Sequence, residues 1–244
     1  MLPQLKALKK GDEIHYGDGE YYFGEPRHIF DETAGYVAIT AEESEDGIPR
    51  VIAAHNLRMD NNYDTIYYGG KLLIKPDSFS ISDGYKNTQD QIKIGGGDPK
   101  ENRRKYEDED MRYRAYDYDK WPNRHPYEFY AAKLCHEHGY NGTKGKWYLP
   151  SIEELIKTFD SDKTEDMFDV DDYNYTNLME YTLDSTMFAT STLAKKSNNK
   201  IEVQMFHGPV FRSGMETLEK LTRPLDTECY IRPFIKITDL FGIS

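Results

Sequence analysis

Two cysteines, Cys135 and Cys229, are all the chain offers in 244 residues. That rules out the disulfide framework on which small secreted domains rely. The pair either forms one bridge between distant parts of the chain or stays as two buried thiols, as free cysteines often do. Long apolar runs are missing as well. No stretch approaches the roughly 18 residues of a membrane span. The opening Met1-Leu2-Pro3-Gln4-Leu5-Lys6 has no hydrophobic signal-peptide core. Positive charge is in short supply, with 31 Lys+Arg against 43 Asp+Glu and a net charge of −12. Phosphate contacts need clustered cations, so no nucleic-acid partner is expected. The sequence also lacks internal repeats and low-complexity tracts.

Aromatic residues are plentiful. They make up 14% of the chain, with 20 tyrosines, enough apolar surface to argue against an acidic disordered tail. Residues 1–75 read as strands and turns. His15-Tyr16 and Tyr21-Tyr22-Phe23 flank Gly17-Asp18-Gly19, a hairpin signal. Gly35 to Ala41 and Arg50 to His55 are strand-like runs separated by the polar turn Glu42 to Gly47. Residues 76–125 read as irregular, with a charged, tyrosine-rich loop over 95–125 that is long for a compact domain. Two helices follow. Pro126 suits a first turn, Phe129, Ala132, Leu134 and Cys135 mark an apolar side, and Gly139 a stop. Ser151 and Glu154 form a capping box ahead of Ile152, Leu155, Ile156 and Phe159, which share one face. Strand signals return at Met187 to Leu193, Ile201 to Phe206 and Tyr230 to Ile237. This order predicts an α+β fold rather than alternating βαβ units. It divides the chain into an N-terminal β-rich part, 1–75, and a core with the inserted loop, 76–244.

No constellation carries an enzyme signature. Cys135-His136-Glu137-His138 suggests a metal cluster, but on a helix only Cys135 and His138 share a face, and four convergent ligands are wanted. Asp160 to Glu165 begins like a calcium loop, yet Glu165 stands where glycine is required and Asp171 where glutamate is. Gly95-Gly96-Gly97 lacks the strand, helix and Gly-Lys-Ser/Thr context of a phosphate cradle. No Gly-x-Ser-x-Gly elbow is present. Neither a metal nor a cofactor is expected.

Five short motifs recur in a telling order. They are Ser82-Asp83-Gly84-Tyr85-Lys86-Asn87-Thr88, then Ala131-Ala132-x-x-Cys135, then Gly145-Lys146-Trp147-Tyr148-Leu149-Pro150-Ser151-x-x-Glu154-Leu155, then Phe188-Ala189-Thr190-Ser191-Thr192, and finally Tyr230-Ile231-Arg232-Pro233-Phe234. With the opening Gly11 to Gly19, this series resembles a family of bacterial and bacteriophage proteins with a C-type lectin-like fold. The resemblance spans about residues 11 to 237. It implies two helices, a mainly antiparallel sheet and, here, an N-terminal β extension. In plain physical terms, Trp147 and Leu149 belong in the core. Arg232 fixes a loop carbonyl or a carboxylate, and Thr190, Ser191 and Thr192 close backbone hydrogen bonds. The sequence departs from the family where Phe188-Ala189 replaces the usual strand tryptophan. It also has no Glu-Pro-Asn, Gln-Pro-Asp or Trp-Asn-Asp for a calcium-and-sugar site.

The resemblance implies a noncatalytic binding or display protein on a virion or cell surface, recognising a protein or glycan receptor. Its variable face would lie between Leu193 and Thr227. The expected ligand contacts are Lys195, Lys196, Asn198, Asn199, Gln204, Phe206, His207, Phe211 and Arg212, since aromatic and Arg side chains anchor interfaces. The alternative is a virion structural protein that binds neighbouring subunits or copies of itself. Its interface would then be Arg103, Arg104, Tyr106, Arg112, Tyr113, Arg114, Tyr116 and Tyr118. A third reading, an enzyme related to the formylglycine-generating group, needs Cys229 as a reactive thiol in an exposed, electropositive setting.

Overall fold

Asp18 and Gly19 set the first hairpin. Both have positive φ, 51° and 83°, as a two-residue type I′ turn requires. They join β1 (Glu13–Gly17) to β2 (Glu20–Phe23), with Gly17 opposite Glu20. A computed structural model of the chain describes residues 5, 7–57, 66–69, 80–95, 129–139, 142–159, 187–195, 201–207, 219–225 and 227–243. The loop predicted over 95–125 lies almost wholly outside them.

β3 (Glu32–Ile39) pairs antiparallel with β1 and with β4 (Arg50–Ala53), across the expected polar turn. Near the C-terminus, β10 (Phe234–Lys236) pairs with β4. The result is a five-stranded antiparallel sheet in the order β10-β4-β3-β1-β2. Strands from opposite ends of the chain thus share one sheet. β6 (Met187–Lys195), β7 (Ile201–His207) and β8 (Glu219–Pro224) form a second antiparallel sheet. β5 (Ile66–Tyr67) and β9 (Glu228–Cys229) form a two-stranded third. The helices are α1 (Gly84–Gly95), α2 (Tyr130–Glu137), α3 (Ile152–Phe159) and a short α4 (Ile237–Leu240). The fold class is α+β, as the order of elements predicts.

Elements beyond the expected set include α1, β8 and the short α4, which begins at Ile237 where the closing strand was expected to continue. Residues 76–125 are not uniformly irregular, because α1 begins at Gly84. Its inward face is Asn87, Thr88 and Gln91, all buried, so hydrophobic periodicity has nothing to detect. β8 was also not predicted. It pairs on one side with β7 and presents Lys220, Thr222 and Pro224 to solvent, a polar composition typical of an edge strand.

The interior has three apolar clusters that meet on one extended segment. Trp147 packs with Ile14, Val37, Val51 and Ile235. Tyr148 packs with Ile39, Ile52, Leu155 and Phe234. Leu149 packs with Ala131, Cys135, Met187 and Ile231. Alternation along an extended chain sends Tyr148 to one side and Trp147 and Leu149 to the other, where the last two join different clusters. Reciprocal backbone bonds of 2.8 Å between Tyr148 and Phe234 hold the segment against the closing strand. Cys135 and Cys229 are free thiols, both buried in the third of these clusters. Among the described residues, no helix is long and apolar enough to cross a membrane.

Candidate functional site

The expected ligand contacts fall partly on the β6–β8 sheet. Lys195 ends β6 opposite Ile201, the first residue of β7. Gln204, Phe206 and His207 follow on β7, opposite Thr222, Lys220 and Glu219 of β8. Gln204 is half-buried. At ~3.3 Å per residue, Lys195 and His207 lie at opposite ends of a strand of about 20 Å. The expected contacts therefore divide between the two ends of the sheet. Lys196, Asn198, Asn199, Phe211 and Arg212 lie outside the described residues. So do the expected interface residues Arg103, Arg104, Tyr106, Arg112, Tyr113, Arg114, Tyr116 and Tyr118.

Three of the five motifs, those at Asp83 to Thr88, Leu149 to Glu154 and Ser191 to Thr192, converge instead on one buried polar junction. Asp83 caps α1, its carboxylate accepting from Lys86 N–H at 2.9 Å. Asn87 pairs through its side-chain amide with both backbone groups of Ser80, accepting at 3.3 Å and donating at 2.6 Å. The Thr88 hydroxyl donates to the Leu149 carbonyl at 3.2 Å and accepts from Leu149 N–H at 2.9 Å. Gln91 donates to the Ser191 carbonyl at 2.7 Å. The partner at this point is a bulge. β6 advances from Ala189 to Leu193 while β7 moves only from Met205 to Val203, so residues 190–192 leave the ladder. Ser191 N–H turns to the Pro150 carbonyl at 2.7 Å, and Thr192 Oγ1 accepts from Ile152 N–H at 3.1 Å. The hydroxyls of Thr190 and Thr192 close backbone bonds as expected, donating to the Gln204 and Ser80 carbonyls, whereas that of Ser191 accepts from the Asn87 side-chain amide at 3.3 Å.

The capping box of α3 takes its predicted form and extends beyond it. Glu154 accepts from Ser151 N–H at 2.8 Å, and Ser151 Oγ from Glu154 N–H at 3.3 Å. The same carboxylate also accepts from Gly84 N–H at 3.1 Å and from the Tyr148 hydroxyl at 2.8 Å. It thereby joins the N-termini of α1 and α3. Burial pushes the Glu154 carboxyl up, against the downward pull of these donors and of Arg50. Burial and the Glu154 charge push the Tyr148 phenol well up. A cavity of about 160 Å³ opens over Arg50, Tyr148 and Glu154. Two of its cations, Arg50 and Lys236, both reach Asp46, at 3.0 and 2.8 Å.

A larger cavity, of about 450 Å³, lies against Trp147. One wall is the segment after β4, from Ala53 to Leu57. Arg232 fixes it, donating Nε–H to the Ala53 carbonyl at 2.7 Å and Nη2–H to that of Ala54. Arg232 was expected to hold a loop carbonyl or a carboxylate, and it holds two carbonyls. Leu57 N–H donates to the Ile231 carbonyl at 2.8 Å, securing the far end. Tyr21 of β2 and Glu32, Thr33 and Ala34 of β3 supply a second wall. The third is Trp147 with His138, whose rings meet edge to face at 4.8 Å. Thr143 Oγ1 receives Trp147 Nε1–H at 3.3 Å and is hydrogen-bonded to the Tyr21 hydroxyl at 3.2 Å. Burial brings the His138 imidazole down to about 4, so the ring is neutral at pH 7. Asn56 Oδ1 is buried with no hydrogen-bond partner.

This cavity escaped the sequence reading because its walls come from five separate stretches of chain. The sequence marks Trp147 as a core residue and His138 within a cluster it rejects as a metal site, and both line the cavity, while the Arg232-Pro233 motif marks the residue that shapes it. Among the described residues, no group of three or more His, Cys, Asp or Glu side chains converges as metal ligands do. Burial pushes the Cys135 thiol well up, with Cys229 adding to the shift. No protein-family model matches the chain, and neither a curated protein nor a solved structure matches it.

Proposed function

We propose that the chain is a noncatalytic binding and display protein of C-type lectin-like type, carried on a bacteriophage particle or a bacterial surface and recognising a protein or glycan receptor. One observation carries this reading. The motif side chains Asn87, Thr88, Glu154, Ser191, Thr192 and Arg232 are all buried, and they bond chiefly to backbone. They hold elements in place and offer no reacting atom to solvent, as in a scaffold whose variable loops do the recognising. Cys229 is 1% exposed in an apolar cluster, which does not suit a nucleophilic thiol. The proposed receptor contacts are Phe206 and His207, which end β7, together with Phe211 and Arg212, which lie outside the described residues. The test is binding of the purified chain to intact bacterial cells and to a glycan array. Phe211→Ala with Arg212→Ala should weaken binding about tenfold or more, the effect of losing an anchor worth roughly 1.4 kcal/mol, with an unchanged melting temperature. Full binding by the folded variant overturns the placement.

A second reading, assembly with neighbouring subunits, has its own observation. Ile29 and Phe30 are 92% and 87% exposed at the tip of the β2–β3 loop. The loop is held by its own side chains. Asp31 accepts from His28 N–H at 2.7 Å and from the Tyr22 hydroxyl, and the Arg27 guanidinium sits 3.9 Å from the centre of the Tyr22 ring. Two adjacent apolar side chains on a fixed loop suit an interface. Ile29→Ser with Phe30→Ser should abolish any self-association seen by sedimentation. An unchanged association constant removes this reading.

A further inference from the structure

The exposed loop tip and the 450 Å³ cavity are neighbours on the molecule. Ile29 and Phe30 are the two most exposed large apolar side chains among the described residues. Glu32, Thr33 and Ala34, which form one wall of the cavity, follow directly in β3. Phe30 is two residues from Glu32, at most about 7 Å along an extended chain. We propose that the chain forms a twofold dimer in which the Ile29–Phe30 tip of each copy enters the cavity of the other. This rests on the assembly reading above and names a second copy as the partner.

Both halves of the contact are preformed. Asp31 fixes the tip by accepting from His28 N–H and the Tyr22 hydroxyl. The cavity walls are tied as well. Arg232 holds the Ala53 carbonyl, Ala54 N–H donates to the Ala34 carbonyl at 3.1 Å, and Thr143 is hydrogen-bonded to both Tyr21 and Trp147. Little ordering remains to oppose association. Size and chemistry agree. A volume of about 450 Å³ lies within the roughly 300–1,000 Å³ that encloses a small molecule, so it accommodates a phenyl ring. Ala34, Ala53, Ala54, Leu57 and Trp147 offer hydrocarbon. Glu32 already has a partner of its own, and the His138 imidazole is neutral at pH 7. An entering ring therefore leaves neither as an unpaired buried charge. Closure follows from the short separation. A tip in the neighbour's cavity brings the neighbour's tip to the first cavity, so the contact is isologous and stops at two copies. An aromatic side chain buries roughly 150–250 Å². Two tips thus give a contact near or below roughly 1,200 Å², the size of transient complexes.

The test is sedimentation equilibrium of the full chain at about 0.15 M salt, where repulsion between copies of charge −12 is screened beyond about 8 Å. The wild type should show a concentration-dependent monomer–dimer equilibrium. Phe30→Ala removes the tip, and Ala34→Phe, at a half-buried wall position, fills the cavity. Each should weaken dimerisation about tenfold or more. Their equimolar mixture should associate more tightly than either variant alone, because the Ala34→Phe chain keeps a tip and the Phe30→Ala chain keeps a cavity. If Ala34→Phe lowers the melting temperature, Thr33→Phe, half-buried on the same wall, serves instead. A monomeric wild type, growth past the dimer, or a mixture no tighter than its components overturns the proposal. Dimerisation lost in Phe30→Ala but kept in Ala34→Phe removes it and leaves the assembly reading in place. Dimerisation kept in both variants removes both.

Discussion

Helices α1 and α3 touch at their N-termini yet bury opposite chemistry. α3 turns Ile152 and Leu155 into an apolar cluster, with Ile156 half-buried beside them. α1 turns Asn87, Thr88 and Gln91 inward, at 1%, 0% and 0% exposure. The difference lies in what each helix faces. α3 packs on side chains from the five-stranded sheet, so hydrocarbon suffices and direction matters little. α1 faces the extended segment at Leu149 and the bulge at Ser191, where backbone groups have left their ladders. Buried backbone groups need partners, so this helix must supply donors and acceptors at fixed positions. A buried face is therefore apolar or polar according to the surface opposite it.

The sharpest way to break this arrangement is to separate the two N-termini. A Cβ on Gly84 would lie 2.5 Å from Ser151 N and 2.8 Å from the Leu149 carbonyl oxygen. Both are backbone atoms of a segment held on two sides, so neither can withdraw cheaply. Gly84→Ala should cost about 3 kcal/mol, the upper range for overpacking, and urea unfolding would show it. A loss under about 1 kcal/mol would mean that the contact is loose.

A subtler substitution tests whether α1 is held by direction or by burial. Thr88→Val keeps shape and adds hydrophobicity, but leaves Leu149 N–H and its carbonyl without the hydroxyl. It should cost about 2 kcal/mol, within the penalty for stranding buried polar groups. A neutral or stabilising result would mean that α1 packs as α3 does.

The last expected effect concerns protonation and is absent at pH 7. Burial pushes Glu154 up and His138 down, shifting each towards its neutral form. For His138 the folded value of about 4 lies below the ordinary 6.5. Its contribution is full above pH 6.5 and is lost as pH falls from 6.5 towards 4. Melting temperature should therefore drop more steeply across that window in the wild type than in His138→Gln. Parallel curves would show that the imidazole is already solvated.

Local signals were readable wherever neighbours in sequence satisfy each other. The Asp18-Gly19 turn needs only its own backbone, the Ser151–Glu154 box only its own first turn, and α3 only its periodicity. The α1 helix was not readable, because its inward residues take their partners from Ser80, Leu149 and Ser191. β8 was hidden for a related reason: an edge strand with a solvated face shows little apolar alternation.

By itself, then, the sequence determined the α+β order, the first hairpin, the helices α2 and α3 with the capping box of the latter, and the burial of Trp147 and Leu149, since turn chemistry, capping and hydrophobic content act over a few residues. Tertiary structure alone decided the rest. It set strands from both ends of the chain in one sheet, joined α1 to α3 through the Glu154 carboxylate, and placed Arg232 on the carbonyls of Ala53 and Ala54. It also made a cavity from walls supplied by Tyr21, Glu32, Asn56, His138 and Trp147. Hydrogen bonds and cavities depend on which distant groups arrive within a few ångströms of each other, and spacing along the chain does not encode that distance.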